Sequence, residues 1–169
     1  MKQVLLCLVT LLGLSAAWAD ITGTVVGVVD GDTIRVLDSD KNLYKVRLKG
    51  IDAPERSQPY GRASQRKLAS MVAGKEVFVE SDGLDSVGRH LGKVWVQPAG
   101  CPSCGKTLNT NHAQILSGMA WWYRYYADEQ SPEDRGRYES AEDEARARGW
   151  GLWADPNPVS PYEWRRSHR

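Results

Sequence analysis

The sequence predicts an α+β chain dominated by β structure, with five short strands, about three helices and a C-terminal strap. Three observations predict it. Runs rich in Val and Thr recur at short spacing in the first half, separated by turns rich in Asp and Gly. One of these runs, Tyr44 to Leu48, alternates: Tyr44, Val46 and Leu48 fall on one face, Lys45, Arg47 and Lys49 on the other. Elsewhere the punctuation is helical, with Gly74 closing one segment and Ser131-Pro132-Glu133-Asp134 opening another.

In chain order, Thr22 to Val29 reads as the first strand and Thr33 to Leu37 as its antiparallel partner across an Asp-Gly-Asp turn. A second turn, 38–42, leads to the alternating strand. Gly61 to Ala73 reads as a helix with Leu68, Met71 and Val72 at helical spacing, its charged face (Arg62, Arg66, Lys67) in solvent. Lys75 to Glu80 and His90 to Val96 complete the strands, joined by a loop that ends Asp85-Ser86-Val87-Gly88-Arg89. An inserted loop spans Pro98 to Asn109, a short helix Asn111 to Ser117. The aromatic run 119–126 places Trp121 or Trp122 in the core. A helix from Ser131 to about Arg148 has Tyr138, Ala141 and Ala145 on one face, and a tryptophan-rich strap covers the barrel from Gly151 onward.

The first 19 residues read as a secretory signal: Lys2, an apolar stretch, then Ala17-Trp18-Ala19, with cleavage before Asp20. That stretch is too short for a membrane span. The expectation is a soluble exported protein, periplasmic or secreted, with one domain over residues 20–169. The formal net charge is +1, and loss of Lys2 leaves 21 Lys plus Arg against 21 Asp plus Glu. Net charge therefore gives no support to nucleic-acid binding, and any electropositive surface must come from local clustering. Of the cysteines, the mature chain keeps Cys101 and Cys104, for which a structural disulfide suits an oxidising compartment. A redox role lacks a βαβ context, and a zinc site needs more ligands than His112 adds.

The chemistry concentrates between Asp30 and Glu55. Asp30-Gly31-Asp32-Thr33 allows two carboxylates to crowd one spot, with Gly31 permitting the tight bend. At the other end of the strand pair stands Asp52-Ala53-Pro54-Glu55, where Pro54 keeps Ala53 extended and so sets the directions of its neighbours. Either segment alone is an ordinary turn. Together, with Arg47 between them on the polar face of its strand, they gather four carboxylates that call for a compensating cation. An all-oxygen set suits a hard cation, Ca²⁺ before Mg²⁺.

The segment Val29-Asp30-Gly31-Asp32-Thr33, followed by Val46-Arg47-Leu48-Lys49-Gly50-Ile51-Asp52-Ala53-Pro54-Glu55, resembles the active-site signature of the staphylococcal (micrococcal) nuclease family. The resemblance spans nearly all of residues 20–169. It implies a five-stranded OB-fold barrel and a Ca²⁺-dependent phosphodiesterase acting on DNA or RNA as a monomer, with no stable protein partner and no membrane. It further implies Asp32, Asp52 and the Ala53 carbonyl as metal ligands, with Asp30 supporting them from one layer out. Arg47 and Arg89 would contact phosphate, Glu55 would orient or deprotonate the attacking water, and Tyr123 and Tyr126 would lie against the nucleotide. Two departures stand out. Val87 replaces an aromatic that family members often carry, and Ala53 replaces a threonine of the staphylococcal enzyme at a position whose expected contact is backbone.

Two other classes compete: a non-catalytic OB module that binds nucleic acid or protein, and an exported thiol-disulfide protein. A degenerate module would be expected to have lost a carboxylate or an arginine, whereas Asp30, Asp32, Arg47, Asp52, Glu55 and Arg89 are all present.

Overall fold

The computed structural model describes residues 18–168, so the secretory signal read over residues 1–19 lies almost wholly outside the described residues. The elements in order are β1 (Ile21–Val28), β2 (Thr33–Leu37), β3 (Leu43–Leu48), β4 (Ile51–Asp52), α1 (Gly61–Val72), β5 (Glu76–Leu84), β6 (His90–Val96), β7 (Leu108–Asn109), α2 (Thr110–Leu116), β8 (Trp121–Trp122), α3 (Pro132–Ala147) and α4 (Pro161–Ser167). Two 3₁₀ turns, Arg124–Glu129 and Gly151–Ala154, flank α3.

Period-2 patterning decides which side of each long strand is buried. In β1, Ile21, Gly23 and Val25 point in while Thr22, Thr24 and Val26 point out. Val77 and Val79 of β5 and Val94 and Val96 of β6 obey the same rule. The strands pair in the order β3-β2-β1-β5-β6, all antiparallel, and a parallel pairing of β3 with β6 closes the sheet on itself. The result is the expected five-stranded OB-fold barrel, its interior filled by branched aliphatic side chains that close packing rewards. Irregular register between Val25 and Gly27, and between Ser81 and Gly83, marks bulges that let strands coil round the barrel.

The helices plug and flank this barrel. Leu68 and Val72 of α1, Ile115 of α2, and Tyr138 and Ala141 of α3 join the same core. The end of α1 is tied to β1 through Gly74 N–H donating to the Val25 carbonyl, 3.0 Å, which fixes where the first strand lies against the helix. Ser131 caps α3 by accepting from Asp134 N–H, 3.1 Å. Among the described residues no helix is long and apolar enough to cross a membrane.

The structure corrects several boundaries. β5 runs to Leu84 rather than ending at Glu80, because the bulge carries pairing through a Ser-Asp-Gly sequence that reads as a turn. Three two-residue strands, β4, β7 and β8, escape a periodicity argument because two residues show no period. The strap contains a fourth helix, α4, started by a Ser160/Glu163 capping box and Pro161. Its tryptophans act more locally than a cover: Trp153 packs edge-on against Trp121, ring centroids 4.4 Å apart, and Trp150 is exposed. Of the aromatic pair, Trp122 is the buried one. Cys101 and Cys104 are joined by a disulfide, Cα atoms 5.4 Å apart, in the loop between β6 and β7.

β4 and β8 form a separate two-stranded ribbon, pairing Ile51 with Trp122 and Asp52 with Trp121. Behind it, the fully buried Glu142 of α3 accepts a hydrogen bond from Trp122 N–H, 3.1 Å, and pairs with Arg124 at 2.5 Å and Arg146 at 3.4 Å. The long helix thus holds the ribbon that carries Asp52. Glu142→Ala strands one buried N–H, while the two half-exposed arginines can turn to water. The expected loss is about 1–3 kcal/mol of stability, read by urea denaturation, with the fold retained.

Candidate active site

Asp32 sits at the start of β2 and Asp52 at the end of β4, and their side chains are only 4% and 3% exposed. Buried carboxylates need compensation. Arg47, projecting from the polar face of β3 as alternation requires, supplies it. Its Nη1 donates to Asp32 Oδ1 at 2.9 Å and its Nη2 to Asp52 Oδ1 at 3.0 Å. One planar fork therefore bridges the two acids and is itself held by both. The second oxygen of Asp32 accepts from Ala53 N–H, 2.9 Å, and Thr33 Oγ1 donates to the first, 2.9 Å. Burial pushes the Asp32 carboxyl up, and neighbouring Asp30 adds to this. Arg47, the Ala53 N–H and the Thr33 hydroxyl pull the other way without cancelling it. Asp30 lies one step out, accepting from Asp32 N–H at 3.0 Å.

The Asp30–Asp32 turn is pinned from behind by two helices. Gln114 of α2, fully buried, donates through Nε2 to the Gly31 carbonyl at 2.7 Å and to the Ser64 carbonyl at 3.2 Å. Gln65 of α1 donates to the carbonyls of Val28 and Val29, each 3.0 Å. Gly31 is needed for a reason other than a tight bend with special torsions. A Cβ there would collide with Ser64 Oγ and Ala53 Cβ, so only glycine lets the turn seat against α1 and the Ala53 backbone.

Arg47 faces an open groove of about 530 Å³ whose walls also carry Glu55, Arg89, Tyr123, Tyr126 and Arg165. Arg89 immediately precedes β6, which pairs with β3 in parallel, so it comes to the groove beside Arg47. Gly88, in the left-handed region at φ +79°, makes the bend that precedes it. Asp85 fixes its side chain, accepting from Arg89 Nε at 2.6 Å and from the backbone N–H groups of Arg89 and Val87 at 2.9 and 3.0 Å. Partial burial pushes the Asp85 carboxyl up, but these donors outweigh it and hold the group below the usual carboxylate range. Tyr123 is anchored by its N–H to the Gly50 carbonyl, 2.9 Å, and meets Tyr126 edge-on at 5.3 Å. Burial and the Asp52 charge both push the Tyr123 phenol up, keeping it neutral.

All the residues predicted from sequence for catalysis, metal and nucleotide thus lie at or directly behind one groove. The cysteine pair is not among the groove's lining residues. The carboxylates are paired with guanidinium groups. Among the described residues no three of His, Cys, Asp and Glu form a group able to hold a metal ion, because guanidinium groups stand between the acids. The second of these was not anticipated. Arg165 of α4 donates through Nη1 and Nη2 to Asp52 Oδ1 and Oδ2, 3.1 and 2.9 Å, and through Nη1 to Glu55 Oε1, 3.0 Å. Partial burial works against its charge, but Asp52 and Glu55 override this and hold it protonated more firmly than a free guanidinium. Sequence reasoning also missed Gln114, Ser64 and Asp85 as supports. For Asp85 a signal existed, its position four residues before Arg89. For Gln114 and Ser64 none did.

Barrel and groove define an OB-fold protein whose charged site is made by paired arginines over buried acids. The sequence pattern described as staphylococcal nuclease homologue matches residues 45–155. The chain is 43% identical over 152 residues to Protein ParB of Escherichia coli, covering 90% of this chain and 83% of that one. It is 43% identical over 155 residues to Micrococcal nuclease of Shigella flexneri, covering 90% and 85%. An uncharacterized endonuclease of Haemophilus influenzae is 37% identical over 148 residues, covering 88% and 75%. The chain belongs to the staphylococcal nuclease homologue family, and with it to the nuclease hydrolases. The matched span includes Arg47, Asp52, Glu55, Arg89, Tyr123 and Tyr126, and ends before α4.

Asp85→Asn tests the support of Arg89. It removes the charge that fixes the guanidinium while the loop stays at the surface, so if Arg89 acts on the substrate, turnover should fall about 10–100-fold with the circular dichroism unchanged. Because the carboxyl is held below its unfolded value of about 3.9, its contribution is present above that pH and is lost as pH falls through the lower folded value. Heat denaturation between pH 2 and 5 should therefore show a smaller acid loss of stability in Asp85→Asn than in the parent.

Proposed function

We propose that this chain is an exported, Ca²⁺-dependent nuclease that acts as a monomer and hydrolyses phosphodiester bonds of DNA or RNA. The observation that carries the reading is the groove in which Arg47 and Arg89 face outward together, with Glu55 on one wall and the buried Asp32–Asp52 pair beneath. A phosphodiester is anionic and resists attack, so its catalyst must offset that charge and aim a water at phosphorus. Arg89, gripped through Nε alone, has both Nη groups free among the described hydrogen bonds, so it can meet two phosphate oxygens in its plane. Arg47, held by two acids, presents a fixed charge that needs no reorganisation as charge builds on the substrate. Glu55, 40% exposed on the groove wall, would accept a proton from the attacking water. Tyr123 and Tyr126 offer flat faces on which bases stack, worth about 1–3 kcal/mol per base.

The donor set fits a hard cation. It is all oxygen, and two buried carboxylates carry one more formal negative charge than the single guanidinium that bridges them offsets. Asp32, Asp52 and the Ala53 carbonyl would hold Ca²⁺, with Asp30 behind them. A cation bound there supplies Lewis-acid polarisation of a phosphate oxygen. Export rests on the leader read over residues 1–19. Its support is that Asp20, the first residue after the expected cut, already serves the barrel by accepting from Ser81 N–H at 3.1 Å.

Plasmid degradation with added Ca²⁺, then with excess chelator, tests the reading. Cleavage is expected with Ca²⁺, little with Mg²⁺ and none with chelator, and equal turnover with Mg²⁺ alone would contradict the choice of ion. Arg89→Ala and Arg47→Ala should each lower kcat about 10²–10³-fold, the usual loss of one charge-stabilising donor. Glu55→Gln should lower it about 10²–10⁴-fold, as for lost general-base help. Asp52→Asn should instead raise the Ca²⁺ needed for half-maximal rate, measured by metal titration of single-turnover cleavage.

A further inference from the structure

Two buried acids and one bridging arginine leave a charge uncompensated, and the chain makes up the difference from far away in sequence. Arg165 reaches Asp52 across 113 positions and Glu55 across 110. Its placement is set by the rest of α4. Pro161 is buried, the Val159 carbonyl accepts from the buried Gln58 Nε2 at 2.7 Å, and half-buried Trp164 lines a small cavity together with Pro54, Pro59 and Trp121. With the start of α4 anchored, residue 165 is presented to the groove.

The contacts made by Arg165 are the ones the reaction needs free. Asp52 Oδ2 has no other hydrogen-bond partner among the described residues, and Glu55 Oε1 is the oxygen that Arg165 takes. A cation bound through Asp52 and a guanidinium forked onto both its oxygens compete for the same lone pairs. The two arginines at Asp52 also differ in tenure. Arg47 is 17% exposed and shared between two buried acids, whereas Arg165 is 36% exposed and one of its partners, Glu55, is 40% exposed. The Glu55 arm is open to water and gains little over its hydrated parts, while the fork on buried Asp52 gives way to a competitor for the same oxygens. Once released, Arg165 stays tethered beside the groove through the anchored start of α4. A guanidinium fork that fits a carboxylate also fits a phosphate.

We propose that Arg165 is an exchangeable third arginine of the active site: it clasps Asp52 and Glu55 in the metal-free protein, yields them when a divalent cation binds, and then turns to a phosphate of the bound strand. This rests on the assignment of Asp52 to the metal. Loading the cation and arming the third phosphate contact are then one event, and Glu55 becomes free to accept a proton only when the cation is in place.

The test uses the full mature chain and two readouts without turnover. Isothermal titration of Ca²⁺ into substrate-free protein should show Arg165→Ala binding about tenfold tighter than the parent, equivalent to ~1.4 kcal/mol. At saturating Ca²⁺, fluorescence anisotropy with a short phosphorothioate oligodeoxynucleotide should show the same variant binding about tenfold more weakly, again ~1.4 kcal/mol. Arg165→Lys, which keeps a charge but not the fork, should fall between the two in both assays. It also guards against a variant that simply loses α4, since lysine keeps the tail's electrostatic attachment. Opposite signs in the two assays are the signature, because a tail arginine with only a structural role would move both downward or neither. Equal Ca²⁺ affinity in parent and variant overturns the exchange while leaving the metal assignment standing, and unchanged oligonucleotide affinity overturns it as well. If neither protein binds Ca²⁺, the metal assignment fails and the exchange fails with it.

Discussion

The bridge from Arg47 to Asp32 and Asp52 is the constraint around which the rest of the structure is arranged. Two carboxylates that are 96–97% buried cannot stay ionised in a low-dielectric setting without a partner held at bonding distance. Holding three charged groups in register demands rigid supports on every side. The barrel supplies β3 for the arginine. The ribbon of β4 and β8 supplies Asp52, and α3 steadies that ribbon through Glu142. The turn carrying Asp32 is seated by Gln114, Ser64 and the bare Cα of Gly31. The Gln114 and Glu142 supports are buried hydrogen bonds, which is how an interior tolerates charge and keeps it in place.

The barrel's closure places the second arginine. β3 and β6 run parallel, with Arg47 opposite Leu91 and Val46 opposite His90. Neighbouring strands lie about 4.8 Å apart whatever loops connect them. Arg89, one residue before β6, therefore reaches the groove through strand geometry, and Asp85 has only to choose its direction. An OB barrel suits a stranded, charged ligand here because its parallel seam gathers cations from two distant parts of the chain. The net charge of the chain never disclosed them.

What could be read from the sequence was what local rules govern. Alternation over 44–48 put Arg47 on the polar face of its strand, and Asp-Gly-Asp-Thr with Asp-Ala-Pro-Glu marked both ends of the acid cluster. The long strands and α3 declared themselves by period and cap. The unread part is long-range. Gln114 and Ser64 look like ordinary helix residues until the fold brings Gly31 against them. A two-residue strand such as β4 exists only because β8 meets it. Arg165 is one of several arginines near its end of the sequence, and no spacing rule links it to Asp52. Gly31 was picked out correctly, but as a flexible joint, when its role is to occupy no space.

The parallel seam between β3 and β6 also has a meaning in time. It joins segments more than forty positions apart, and such pairings bear the largest loop-closure cost and come late when a chain folds. Arg47 and Arg89 stand on opposite sides of that seam. Hairpins β2–β3 and β5–β6 can form from near neighbours, the first carrying Arg47 and the second leading into β6 from Arg89, so neither alone brings the two arginines to one groove. A groove walled by both arginines therefore exists only once the barrel has shut.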